Sequence, residues 1–114
     1  MFAYNEEHKG YVAEINSIKF LCDEVSEELE ELAKELAECY EDKLPELIDF
    51  MLSELQDVFG ELSAEEVADA LGIPLVDLDR EVISYLEQTL DDIHIIDVEY
   101  GGMFDEFYEV VIDG

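Results

Sequence analysis

Residues 63–90 read SAEEVADALGIPLVDLDREVISYLEQTL, and the architecture of the chain depends on how this stretch is divided. Ser63 and Glu66 have the spacing of a capping box, and Leu62 can staple onto Val67, so a helix starts here. Gly72 and Pro74 end it. Beyond Pro74, Leu75, Leu78, Val82, Leu86 and Leu90 recur at intervals that put them on one side of a further helix over residues 75–90. With the small Ala68 and a turn at Gly72, the segment has the outline of a helix-turn-helix. Its second helix would offer Asp77, Asp79, Glu81, Glu87, Asp91 and Asp92 against the single cation Arg80. Such a helix is repelled by phosphates, so the motif reads as structural and not as a DNA reader.

Upstream, the period is helical from Asp23, with Val25, Leu29, Leu32, Leu36, Cys39 or Tyr40, and Leu44 on one face. Asp23 can cap this helix, and Glu24, Glu27 and Glu28 suit its positive end. Pro45 biases Leu44 away from helical geometry and predicts a break or sharp kink. A second helix then runs to Phe59, apolar over more than half its circumference, and stops at Gly60.

Both ends of the chain alternate instead. Tyr11, Ala13 and Ile15 alternate with Val12, Glu14 and Asn16, and Asn16-Ser17 is a two-residue turn into residues 18–21; residues 2–4 add a short edge strand. After Asp91-Asp92, residues His94, Ile96, Val98 and Tyr100 share one face, and Gly101-Gly102 turns the chain into residues 103–112, with a bulge at Asp105-Glu106. The expected architecture is a single acidic α+β domain over residues 1–114: an antiparallel sheet of N-terminal and C-terminal hairpins packed against about four helices.

The 114 residues include 33 Asp or Glu and 5 Lys or Arg, a formal charge of −28. Disorder is not expected, because 49% of the residues are hydrophobic. The scattered cations Lys9, Lys19, Lys34, Lys43 and Arg80 supply no basic patch, which argues against direct nucleic-acid binding and against an anionic membrane surface. No apolar run is long enough to span a membrane, and the opening MFAYNEEHK is unlike a secretory signal. With only Cys22 and Cys39, a disulfide framework is not indicated, and a cytoplasmic protein with reduced thiols is expected.

Catalytic and metal motifs are missing. There is no G-x-S-x-G, P-loop or G-x-G-x-x-G, and carboxylates are too numerous for spacing to single out an acid and base pair. Asp91-Asp92 beside His94 is the most tempting cluster, but His94 shares a strand face with Ile96, Val98 and Tyr100 and reads as a core or interface histidine; His8 has no partner pattern. Asp77-Leu78-Asp79 lacks the glycine and terminal Glu of a calcium loop, and Cys22 and Cys39 have no C-x-x-C partner for zinc. Neither an enzyme nor a cofactor or metal site is expected.

What remains is the arrangement of charge. Glu24, Glu28, Glu31, Glu35, Glu38 and Asp42 recur at three and four along the first helix, flanked by Glu27 and opposed only by Lys34. Residues 23–42 carry roughly one carboxylate per 3 Å of helix axis, close to the one phosphate per about 3.4 Å of a DNA strand. Like charges at these spacings each cost a few tenths of a kcal/mol, and an ordinary helix would intersperse lysine. Glu24, Glu27, Glu28, Glu31, Glu35, Glu38 and Asp42 are therefore the candidate partner-binding residues, facing a basic protein surface. In small size, acidity and lack of catalytic motifs the chain resembles the DNA-mimic proteins that phages and mobile elements direct against restriction or CRISPR nucleases. That resemblance implies a non-catalytic inhibitor of anti-CRISPR or anti-restriction type, occupying the basic groove of a nuclease or other nucleic-acid-binding protein. Two alternatives are an immunity protein or antitoxin that caps one nuclease toxin, through a patch including Tyr100, Phe104, Phe107 and Tyr108, and a small domain whose acidity serves only solubility.

Overall fold

The computed structural model describes residues 1–91 and 93–113. Alternating residues near the N-terminus form β1 (Ala3–Asn5), β2 (Gly10–Ile15) and β3 (Ile18–Cys22). Asn16 and Ser17 both take left-handed φ values, 53° and 63°, as a two-residue turn between twisted strands requires. The chain then enters α1 (Glu27–Phe59) and α2 (Ala64–Ala70), and returns as β4 (Leu75–Asp77), β5 (Val82–Tyr85), β6 (Ile95–Gly101) and β7 (Glu106–Asp113). The seven strands form one sheet in sequence order. Every neighbouring pair is antiparallel except β3 and β4, and a parallel pair needs the long crossover that the helices provide.

The architecture therefore differs from the expected antiparallel sheet packed against about four helices: the sheet is mixed, and among the described residues two helices accompany it. One reason lies at Pro45, which sits inside α1 instead of breaking it. The buried residues Ala33, Leu36, Ala37, Tyr40, Leu47, Ile48, Met51 and Leu55 keep one phase across the proline, so both halves must lie on the same sheet. Pro45 itself is exposed, and the amide hydrogen bond it removes is lost on the solvent side, where water can serve the carbonyl of Glu41. Tertiary packing overrides the local bias.

The second reason is residues 75–90, which form β4, a turn and β5 instead of a helix. Asp77 accepts the amides of Asp79 and Arg80 at 3.1 Å each, and Glu81 takes φ 56°, closing a four-residue loop. The β-branched Val76, Val82 and Ile83 favour the pleated surface that β3 and β6 offer on either side. Among the described residues no second helix follows Gly72, so the helix-turn-helix outline is also lost; α2 keeps its Ser63–Glu66 capping box. Helix α1 starts later than expected: Ser26, not Asp23, is its N-cap and accepts the Leu29 amide at 3.2 Å.

Phe20, Val76, Ile83 and Val98 align in register across β3 to β6 and are buried with Leu36, Leu47, Met51 and Leu55 of α1. The next row, Leu21, Asp77, Val82, Glu99 and Glu109, alternates to the opposite face, which neither helix covers. In the last hairpin β7 resumes only at Glu106. The bulge falls not at Asp105-Glu106 but at Tyr108, the extra residue between the pairs Glu99–Glu109 and Tyr100–Phe107.

Candidate acidic docking face

With about 100° of rotation per residue, the buried stripe of α1 occupies an arc of about 120°. Glu28, Glu31, Glu35, Glu38, Asp42, Glu46 and Asp49 fall within an arc of about 80° diametrically opposite it. All seven are exposed. From Glu28 to Asp49 the ribbon is about 32 Å long, with a carboxylate about every 5 Å of axis.

The structure brings together Glu28, Glu31, Glu35, Glu38 and Asp42 as expected of one helical face. Glu27 is the first residue of α1 and flanks the ribbon. Glu24 lies in the connection before the helix and does not belong to it. Glu46 and Asp49 are additions that the sequence reading missed by ending the helix at Pro45. Their signal was present: the steps from Asp42 to Glu46 and on to Asp49 continue the same three and four spacing.

The ribbon is uncompensated. Lys43 pairs with Asp105 at 3.1 Å, Arg80 with Asp77 at 2.8 Å and more distantly with Asp23, and Lys19 with Glu87 at 3.7 Å. The hydrogen bond to Asp105 raises the Lys43 ammonium above its ordinary range, and Asp77 does the same for Arg80. The amide of Met103 and the Lys43 ammonium hold Asp105 below the usual carboxylate range. Among the described residues no ribbon carboxylate has an ion-pair partner, although Lys34 stands beside them on α1. The cations that do pair stabilise loops and strands elsewhere.

The remaining candidates are absorbed into the scaffold. Asp91 accepts the amides of Ile93 at 3.1 Å and His94 at 2.9 Å and the side-chain amide of Gln88 at 3.0 Å, and it also contacts the His94 ring. Partial burial opposes its ionisation, but these donors outweigh it and hold the carboxyl well below its ordinary range. The His94 ring packs edge-on against Phe59 of α1, with centroids 5.4 Å apart. Asp92, the third member of that cluster, lies outside the described residues. The His8 amide donates to Asn5 Oδ1 in the turn after β1. Asp77 is occupied by its turn and by Arg80.

Cys22 and Cys39 are both free, and burial raises both thiols above their ordinary range. Among the described residues, no group of His, Cys, Asp and Glu is arranged to hold a metal ion, and no helix is long and apolar enough to cross a membrane. Tyr100 and Phe104 are only 3% and 1% exposed, so the aromatic patch imagined with Phe107 and Tyr108 is core, not surface, at two of its four members. Sequence reasoning also passed over Gln88, a buried amide that donates to the carbonyls of Asp91 and His94 and accepts the amides of Leu90 and Asp91, thereby shaping the loop into β6. No family model, curated protein or solved structure matches the chain.

Proposed function

We propose that the protein is a non-catalytic inhibitor that lays the α1 ribbon into the basic nucleic-acid-binding groove of a nuclease or another nucleic-acid-binding protein, in place of a phosphate backbone. It would act in the cytoplasm, where its thiols stay reduced, as a phage or mobile-element counter-defence protein of anti-CRISPR or anti-restriction type. The observation that supports this reading is the exposed file from Glu28 to Asp49, carried on the one helix α1 and, among the described residues, left without ion pairs. Six successive like-charge contacts at three and four cost roughly 1–3 kcal/mol in all, a penalty that a cationic partner would reverse. Opposite potentials would also speed the encounter, and occupancy of the groove would exclude nucleic acid competitively. The immunity-protein alternative has less support once Tyr100 and Phe104 are buried.

The test is affinity capture from lysate at low salt, followed by competition between the protein and labelled DNA or RNA for each captured protein. Release of the nucleic acid from a captured nuclease or guide-RNA effector, weakened by Glu28→Gln, Glu31→Gln, Glu35→Gln and Glu38→Gln together, is the expected result. Failure to displace nucleic acid from any captured protein would sink the reading. Undiminished displacement by the quadruple variant would remove the ribbon from the contact.

A further inference from the structure

The two edges of the sheet are unequal. At one edge β1 is 3 residues long, whereas β7 at the other is 8 residues long and is the last strand in the sheet order, next to β6. An edge strand presents a row of backbone donors and acceptors to any extended segment that can lie beside it. The bulge at Tyr108 disturbs the first part of β7, but beyond it residues 109–113 pair with β6 in unbroken register.

The packing at this edge is unfinished. On β6, Ile96 and Val98 are 0% exposed, while their cross-strand partners Ile112 and Val110 on β7 remain half-buried. Phe50 of α1, which meets Phe107 of β7 with ring centroids 5.8 Å apart, is still 37% exposed. The core thus has an apolar rim along β7 that α1 does not close. The other face of the same strand differs: Glu109 stands directly opposite Glu99 on β6, a like-charge pair that destabilises the hairpin, with Val111, 44% exposed, on the same face.

We propose that β7 is the docking edge for an extended segment of a partner protein in which apolar and cationic residues alternate, added to the sheet as an eighth strand along residues 109–112. Period-2 geometry sends the apolar residues of such a segment to the rim of Val110, Ile112 and Phe50, and its cations to Glu109 and Glu99. A second copy of this chain is the wrong occupant, because it would bring another Glu109 and another charge of −28 to the same edge. The inference stands apart from the α1 ribbon, which lies on the far side of the helix from the sheet.

The test uses a capped peptide of alternating Lys and Val, and the same peptide with every backbone amide N-methylated. Binding is measured to a chain carrying Glu31→Gln, Glu35→Gln and Glu38→Gln, so that the ribbon cannot mask the edge. The expected result is slowed amide exchange within residues 109–112, with affinity lowered about tenfold or more by N-methylation, as loss of strand hydrogen bonds requires. Glu109→Lys should weaken the same peptide. Equal affinity for the N-methylated peptide, or protection confined to α1, would overturn the proposal. So would self-association of the chain through β7 at high salt, which would make a second copy the occupant.

Discussion

The phenol oxygens of Tyr40 on α1 and Tyr85 on β5 lie 2.5 Å apart inside the core, a hydrogen bond that ties the middle of the long helix to the centre of the sheet. Tyr85 is 0% exposed and Tyr40 8%, so neither hydroxyl can exchange its partner for bulk water. A buried polar group without a partner is more costly than the absence of the pair. Tyr85→Phe is therefore expected to destabilise the protein by about 1–3 kcal/mol, since the Tyr40 hydroxyl is stranded. Adding Tyr40→Phe should recover part of the loss. Urea denaturation of the two single variants and the double variant checks this: strict additivity would mean that the two phenols do not stabilise each other.

The same burial makes stability sensitive to alkali. Desolvation pushes the Tyr40 phenol up to about 12, against a smaller opposing effect from its bond to Tyr85, and burial also raises Tyr85 and Tyr100 well above the ordinary tyrosine range. An unfolded chain loses these protons near pH 10. Above that pH the unfolded state binds fewer protons than the folded state, so stability is intact below about 10 and falls as pH rises, for Tyr40 up to about 12. Denaturation midpoints should decline across this window, with phenolate absorbance appearing together with loss of structure. A flat profile would contradict the burial of these rings.

Pro45 offers a stabilising substitution. It interrupts the hydrogen-bond ladder of α1 at an exposed position where the helix continues regardless. Pro45→Ala restores an amide donor toward Glu41 and removes a residue about 3 kcal/mol poorer than alanine inside a helix, so a gain of about 1–3 kcal/mol and a higher melting temperature are expected. A lower melting temperature would show that the ring contributes more to the cleft it lines with Ile48 of α1 and Ala64 and Ala68 of α2 than it costs the helix.

These sites also show where the sequence is informative. Short-range chemistry was legible: Asn16-Ser17 between alternating runs, the Ser63–Glu66 box, and Gly101-Gly102 near the last turn. Residues 75–90 were not, because Leu75, Leu78, Val82, Leu86 and Leu90 fit a helix as well as any strand, and what decides against it is the vacancy between β3 and β6. That vacancy is a property of the whole chain. Pro45 misled for the same reason, since its local bias is weaker than the burial of Leu47, Ile48, Met51 and Leu55 beyond it. The acidic face was legible in outline because Glu28 to Asp42 obey a local period, and it was truncated where the helix was truncated.

The ribbon makes opposite demands on the isolated protein and on a complex. In isolation its carboxylates repel one another and the rest of a chain of net charge −28, so added salt should raise the melting temperature by screening. Replacing Glu31, Glu35 and Glu38 with Gln removes successive repulsive contacts and should stabilise the fold by about 1 kcal/mol at low salt, with less gain at high salt. A complex with a cationic groove responds in reverse: salt and the Gln substitutions both weaken it. Paired thermal melts and binding titrations over one salt series test both directions. A melting temperature that falls with moderate salt would refute the self-repulsion. If melting rises but no binding partner becomes weaker with salt, the acidity serves solubility and not recognition.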